Sequence, residues 1–358
     1  MKLTIGLKLQ PTSGQADALL ATLERANAAA NRLSELAWRE QTFRQYDLHN
    51  LGYYAVKAEF DLTAQMVVRL IAKVADAYKL DRKRQRGFRS HGAIAYDDRI
   101  VTFKPDSVSL WTVAGRQRIR FVCGERQRQL LAVRQGESDL VYRDEQWFLF
   151  CTVNVEEPPP GEPDDWLGVD LGIVNIAADS DGTLYAGAHL NGLRRRYHRL
   201  RRKLQRKGTA SAKRFLKRRR LKERRMATAF NHRISKQIVR TAEGTRRGIV
   251  LEDLKGIRDR VTVRQPQRRT FHSWSFFQLR AFIEYKARLV GVPVVSVDPR
   301  NTSRTCPTCG CIDKANRPAQ DRFLCVSCGF AGLPDRIAAT NLRERGRADV
   351  TRPHAGVG

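Results

Sequence analysis

The sequence predicts a multidomain chain in which a mostly all-β half, carrying a helical insertion, is followed by an α/β half. Three observations carry that expectation. Residues 100–156 break into short β-branched and aromatic runs separated by turn residues. The stretch Glu156-Glu157-Pro158-Pro159-Pro160-Gly161-Glu162-Pro163-Asp164-Asp165 reads as a linker. Beyond it, apolar strand-like runs alternate with long helical patterns.

Residues 1–10 alternate, with Leu3, Ile5, Leu7 and Leu9 on one face, and predict a half-buried strand. Pro11-Thr12-Ser13-Gly14 ends it. The spacing of Leu19, Leu23, Ala26, Ala30, Leu33 and Ala37 predicts a helix over 15–42, and a second helical region covers 48–82. The runs at 101–103, 107–110, 118–122, 138–142 and 147–150 predict a small antiparallel barrel or meander, which the first strand joins across the helical insertion. After the linker, Leu167-Gly168-Val169-Asp170 is a strand entering a turn at Gly172. Ile176-Ala177-Ala178 and Leu184-Tyr185-Ala186 continue it as a meander through Asp181-Gly182. Residues 194–225 predict a helical hairpin divided at Gly208-Thr209, with helix continuing to Ala242. A strand at 248–254, a helix at 275–290 and a strand at 292–298 follow. A cysteine-rich segment, a short helix at 335–344 and a disordered tail from Arg347 complete the chain. The expected domains are a barrel from 1–10 and 85–157, a helical domain at 11–84, an α/β domain at 158–346 with a metal ribbon inserted at 302–332, and the tail at 347–358.

Charge narrows the function. There are 66 Lys+Arg against 37 Asp+Glu, a formal net charge of +29. Such an excess opposes compaction unless a polyanion shares the surface, and nucleic acid is the first candidate. Residues 194–225 alone hold 18 Lys/Arg and one acid. Pairing along the helix can neutralise almost none of that charge, so a phosphate-rich partner is favoured over a merely solvated face. No run of ~18 apolar residues offers a membrane span, and the first residues lack the apolar core of a signal peptide. The expected location is a cytosol or nucleoid.

Five of the seven cysteines lie between Cys306 and Cys328. Cys306-Pro307-Thr308-Cys309-Gly310 and Cys325-Val326-Ser327-Cys328-Gly329 are matched C-x-x-C-G knuckles with 15 residues between them. Each offers two thiolates about one turn apart, with a glycine for the tight turn. Together they form the closed S₄ set of structural zinc, at ~2.3 Å per bond. A ribbon this small has little core, so zinc supplies its folding energy. Cys311 has no evident ligand role, and Cys123 and Cys151 read as core residues. Thr302-Ser303-Arg304 is a phosphate contact or an ordinary loop.

Acids at strand ends are informative in so basic a chain. Asp170 ends one apolar strand, Glu252 ends another, and Asp335 opens the helix after the ribbon. Three carboxylates converging from distant segments suit Mg²⁺, which takes hard oxygen ligands and keeps sites for water and phosphate. Two ions ~3.5–4 Å apart would activate water and stabilise the leaving oxygen of a phosphodiester. Each acid alone has a plainer reading: a turn for Asp170, an arginine partner for Glu252, an N-cap for Asp335. Asp253 points to the other strand face, Asp298 is a spare strand-end acid, and His232 reads as a packing or phosphate-contact residue.

The second half resembles the TnpB family, transposon-encoded RNA-guided DNA nucleases related to type V CRISPR effectors. The resemblance rests on ordered segments over roughly 165–345. Gly168-Val169-Asp170-Leu171-Gly172-Ile173 is similar to the first RuvC-type motif. Asn231 to Lys236, followed by Ile249-Val250-Leu251-Glu252-Asp253-Leu254, is similar to the second. Tyr285-Lys286-Ala287 and Thr302 to Gly310 match the run into the zinc ribbon. Asp335 to Leu342 is similar to the third motif, with Ile337 where many members have Asn. The resemblance implies a ribonuclease H-like (RuvC) nuclease core and Asp170, Glu252 and Asp335 as catalytic Mg²⁺ ligands. It implies Cys306, Cys309, Cys325 and Cys328 as zinc ligands, a guide RNA from the transposon end, and a double-stranded DNA target beside a short transposon-associated motif. The function expected is an RNA-guided, Mg²⁺-dependent DNA endonuclease. The alternatives weighed are a nuclease-inactive RNA-guided regulator on the same scaffold and a conventional transposase. Retention of all three acids speaks against the first, and the ordered motifs against the second.

Overall fold

A computed structural model describes residues 1–172, 174–253 and 276–351. The chain divides into two compact units, Met1–Glu156 and Glu157–Gly358.

The first unit runs β1 (Lys2–Gln10), α1 (Ser13–Arg39), α2 (Gln45–Phe60), α3 (Ala64–Leu80), β2 (Ile94–Tyr96), β3 (Val101–Phe103), β4 (Ser107–Thr112), β5 (Gly115–Val122), α4 (Glu125–Leu131), β6 (Arg134–Arg143) and β7 (Gln146–Asn154). Its strands form one antiparallel sheet in the order β2-β6-β7-β1-β5-β4-β3, curled into a near-closed barrel. The first strand does join across the helical insertion, pairing Leu3 with Val153 on one side and Leu9 with Phe121 on the other. Its alternation explains the placement, since Ile5, Leu7 and Leu9 are buried. Thr12 starts α1 with a capping box shared with Gln15.

Three details differ from the sequence reading. The second helical region is two helices, because Asp61 adopts a left-handed conformation (φ 45°) that ends α2 and Thr63 stands before α3. Strand β2 and helix α4 were not anticipated; both are too short for a periodic signal.

The second unit runs β8 (Asp165–Asp170), β9 (Asn175–Asp179), β10 (Leu184–Ala186), α5 (Ala188–Lys207), α6 (Ala210–Gly244), β11 (Arg247–Glu252), α7 (Phe276–Arg288), β12 (Val294–Val297), a 3-10 turn (Lys314–Asn316), β13 (Phe323–Leu324), β14 (Ala331–Gly332) and α8 (Pro334–Thr351). The five-stranded sheet has the order β10-β9-β8-β11-β12. β9 is antiparallel to β8, while β11 lies parallel to β8 on its other side. This is the ribonuclease H-like order.

The two-residue alternation of a strand decides what each face meets. Leu167, Val169, Ile249 and Leu251 form one core with Ile238, Ala242, Leu279 and Ile283 of α6 and α7. Trp166, Val250 and Leu342 of α8 form the core of the opposite face. Gly168 lies on that second face, where an added Cβ would sit 2.0 Å from the Ala339 carbonyl. Only glycine lets α8 cross β8 this closely.

The hairpin divides at Gly208, which is left-handed, with Thr209 capping α6 through Ala212 N. The expected tail from Arg347 is instead helical through Thr351. Arg347 ties that turn down by pairing with Asp165 at 2.7 Å and Glu344 at 3.2 Å. Ile173, Leu254, the first residue of the expected 275–290 helix and residues 352–358 lie outside the described residues. Among the described residues, no helix is long and apolar enough to cross a membrane.

Candidate functional site

Asp170, Glu252 and Asp335 line one pocket of about 680 Å³. The fold dictates the convergence. Parallel register sets Val169 beside Leu251, so Asp170 and Glu252 follow as neighbours at the carboxyl ends of adjacent strands. Alternation turns both toward the face that α8 covers. Asp335 stands in the first turn of α8, above the same strand ends. The carboxyl ends of strands in an open α/β sheet are where such folds build sites.

The electrostatics are those of acids forced together. Burial, then the nearby Glu252 and Asp335 carboxylates, push the Asp170 carboxyl well above its ordinary range. Burial also pushes Glu252 up, opposed by hydrogen bonds from Asp170 and Thr302. Two carboxyls that share a hydrogen bond in this way cannot both ionise comfortably without a cation. A divalent ion supplies that charge, and all donors are the hard oxygens Mg²⁺ prefers. Asp170 and Glu252 therefore make a donor pair suited to the metal, with Asp335 lining the same pocket.

Supporting side chains fix the acids. The buried Thr302 hydroxyl lies 3.3 Å from Glu252 Oε1 and 3.0 Å from the Pro299 carbonyl. Asn175 Nδ2 donates to Asp335 Oδ2 at 2.9 Å. Asn341, buried in α8, donates to the carbonyls of Thr302 (2.7 Å) and Thr305 (2.8 Å). Arg317, Gln320 and Asp321 reach the pocket from the ribbon, and Arg317 eases Asp170 back toward ionisation. Of these, the sequence reading singled out only Thr302, as a phosphate contact or loop. Asn175 and Arg317 carry no periodic or spacing signal of their own. The spare acids lie elsewhere: Asp253 is 3.7 Å from Arg280, and the Asp298 carboxylate accepts from Arg300 N at 2.9 Å. Asp335 is not an N-cap, since α8 already begins at Pro334. His232 stacks on Phe282 with centroids 3.9 Å apart.

The four knuckle sulfurs of Cys306, Cys309, Cys325 and Cys328 lie within 4.8 Å of one another; among the described residues no other set of three or more potential metal ligands closes this tightly. The knuckles repeat one geometry. Gly310 N bonds Cys306 O and Gly329 N bonds Cys325 O, each at 3.0 Å, with φ of 72° and 73° at the two glycines. The N–H groups of Cys328 and Ser327 aimed at the Cys325 sulfur hold that thiol down, while hydrogen bonds shared with the Cys309, Cys306 and Cys325 sulfurs push Cys328 up, so the four sulfurs share their protons as one set. This four-cysteine cluster is suited to structural zinc. Asn316, fully buried, donates to the carbonyls of Arg304 and Cys311 and accepts from Val326 N, bracing one knuckle against the other. Cys311 contributes its carbonyl to Cys306 N and stands outside the sulfur set. Ile337 is buried against Cys306, Phe323 and Cys325, so α8 plugs the ribbon with an aliphatic side chain.

Residues 194–225 of the α5–α6 hairpin expose nearly all their described cations, and the one acid of that stretch, Glu223, pairs with Arg201 at 3.2 Å.

A ribonuclease H-ordered sheet with strand-end acids and an attached four-cysteine ribbon defines a RuvC-like nuclease core with a zinc-binding module. Residues 150–255 match the family model described as a probable transposase of the OrfB_IS605 type, and residues 276–342 match the Cas12f1-like TNB domain. These two segments make the second half of the chain similar to TnpB and Cas12f proteins. It is 38% identical over 113 residues to a CRISPR-associated endodeoxyribonuclease Cas12f1 of Sulfoacidibacillus thermotolerans, covering 31% of this chain and 25% of that one. It is 36% identical over 122 residues to a TnpB-like protein of Methanocaldococcus jannaschii, covering 34% of this chain and 43% of the other. The matches thus span less than half the length of these relatives. The fold resembles that of Cas12f1 in a complex with guide RNA and target DNA (TM-score 0.62, 14% identity, 93% of this chain and 83% of that one).

Proposed function

We propose that this chain is an RNA-guided, metal-dependent DNA endonuclease with one RuvC-like site. The observation that carries the reading is that Asp170, Glu252 and Asp335 line one pocket, with Asp170 held against ionisation by burial and then by its acidic neighbours. Those three residues are the proposed catalytic metal ligands, and the four knuckle cysteines the proposed zinc ligands. Mg²⁺, when bound, polarises the phosphodiester and lowers the pKa of an attacking water. Thr302 orients Glu252 and Asn175 orients Asp335, so neither carboxylate must be ordered when substrate arrives. Arg317 places a guanidinium at the pocket wall, where it attracts a phosphate and offsets the carboxylates. The α5–α6 hairpin follows the backbone of a guide RNA or of its heteroduplex with DNA, reading charge and shape while base pairing reads sequence. The domain roles follow: a barrel from 1–10 and 85–157 and helices of 11–84 engage duplex DNA and guide, and 158–346 cuts.

The test is to purify the protein with its co-bound RNA, identify that RNA, and assay cleavage of a matching duplex with and without Mg²⁺. Wild type cuts only with RNA and Mg²⁺, and Asp170→Asn retains the RNA but does not cut. Cutting by Asp170→Asn at the wild-type rate overturns the assignment.

A further inference from the structure

Far from the acids in sequence, the first unit holds a basic segment of unusual construction. Residues 81–93 lie outside any helix or strand. The run Arg82-Lys83-Arg84-Gln85-Arg86-Gly87-Phe88-Arg89-Ser90-His91 has one large apolar side chain, Phe88, among its cations. Such a segment cannot bury enough surface to order itself.

It is nevertheless held along its length by its main chain. Beside its apolar stripe, α1 carries a polar one, Asn27, Asn31 and Ser34, at helical spacing. Asn31 grips Phe88 twice: Nδ2 donates to its carbonyl at 2.9 Å and Oδ1 accepts from its N–H at 2.7 Å. Asn27 Nδ2 donates to the carbonyls of Ser90 (3.0 Å) and Gly92 (2.9 Å). Ser34 Oγ donates to Arg86 O at 2.6 Å, and the Tyr78 hydroxyl accepts from Arg86 N at 3.3 Å. Lys73 Nζ donates to the Ala93 carbonyl at 2.9 Å and lies 4.9 Å from the Phe88 ring centre. Asn27, Ser34 and Tyr78 are fully buried. Buried amides and hydroxyls destabilise a fold unless bonded, and here their partners are the backbone of a loop.

The side chains are sorted by this clamp. Arg86 turns to Asp81 at 2.8 Å, and Arg84 reaches the same carboxylate at 3.2 Å. Phe88 packs on the core. Arg82, Lys83 and Arg89 are exposed and form no ion pair among the described residues. The outward face therefore offers cations on a backbone that is already ordered.

We propose that residues 82–91 are a prefolded strap for a nucleic-acid phosphodiester backbone, with Arg82, Lys83 and Arg89 as its phosphate contacts. The proposal rests on the nucleic-acid reading above and adds a binding surface in the other unit. Ordering the strap in advance removes a cost that a loose basic loop meets on binding. The seven steps from Arg82 to Arg89 reach at most ~25 Å, enough for phosphates several steps apart at 3.4 Å per step of helix axis. Through its exposed cations the strap positions a strand by its phosphates.

The test measures binding of the co-purified RNA and, separately, of duplex DNA across a salt series. Wild type is compared with the triple variant Arg82→Gln, Lys83→Gln, Arg89→Gln, whose changes are all at exposed positions. Loss of three contacts lowers the slope of log affinity against log salt by roughly 2.7 for duplex or 2.1 for a single strand. A fall with RNA alone assigns the strap to the guide, and a fall with DNA alone assigns it to the target. Asn31→Ala, checked for thermal unfolding, keeps the cations but loosens the backbone; it weakens binding several-fold at unchanged slope. A triple variant with the wild-type slope for both ligands overturns the strap and leaves the nucleic-acid reading standing. A wild-type protein that binds neither ligand overturns both.

Discussion

Replacing Ile337 by asparagine, the residue many TnpB proteins carry there, separates packing from metal binding in the ribbon. Ile337 is only 4% exposed and meets fully buried Phe323 and the backs of Cys306 and Cys325. Removing its aliphatic surface loses about 1.5–3 kcal/mol. Leaving an amide there without a partner adds about 1–3 kcal/mol. The sum, about 3–6 kcal/mol, is below the ~10–16 kcal/mol that zinc contributes to small ribbons. The variant ribbon therefore still folds at saturating zinc. Its zinc affinity falls by roughly two to four orders of magnitude, at about 1.4 kcal/mol per tenfold. Competition against a chromophoric chelator reads this directly. Ile337→Val, which costs about 0.5–1.5 kcal/mol, shifts the midpoint tenfold or less. An Ile337→Asn protein that surrenders zinc at the wild-type chelator concentration refutes the plug.

Other perturbations bear on other parts of the molecule. Asn175→Leu removes the hydrogen bond to Asp335, worth about 1.5–3 kcal/mol for a charged acceptor. It slows single-turnover cleavage roughly ten- to hundredfold with RNA affinity unchanged; equal loss of RNA binding contradicts the role. Gly168→Ala drives a Cβ into the Ala339 carbonyl and destabilises the second unit by about 3 kcal/mol or more, visible as a lower denaturation midpoint. Burial brings Lys73 down to about 8 from 10.5. The unfolded chain then holds more protons between those values, so stability of the first unit rises with pH from about 8 to 10.5. The gain is at most about 3 kcal/mol. Lys73→Met flattens that rise; an unchanged pH profile contradicts the shift.

Much of the fold was legible because burial writes itself into period. The alternation of Leu3 to Leu9 announced a strand that pairs only after a long helical insertion, and Gly208-Thr209 marked the hairpin turn. What escaped was local or long-range. Asp61 breaks a helical pattern through its own φ, which apolar spacing does not register. Strand β2 spans three residues. Helix α8 outlasts its expected end because Arg347 finds Asp165, a partner far away in sequence. In the site, the knuckle spacing foretold a closed sulfur set, and the strand-end positions of Asp170 and Glu252 placed them side by side once parallel register was known. Thr302, Asn175, Asn341 and Arg317 act through tertiary contacts, and no periodicity marks them. Asn27, Asn31 and Ser34 form a polar stripe beside the apolar one for a partner loop 52–65 residues on, which one-dimensional reading cannot pair with them.

Asp170, Glu252 and Asp335 are proposed to form one divalent-metal site. The most direct test is Mn²⁺ binding to the purified protein, followed by electron paramagnetic resonance, with Mg²⁺ as competitor. Wild type binds Mn²⁺ and releases it to Mg²⁺, while Asp170→Asn, Glu252→Gln and Asp335→Asn each weaken binding sharply and leave zinc content intact. Mn²⁺ affinity that is the same in wild type and in all three variants contradicts the account.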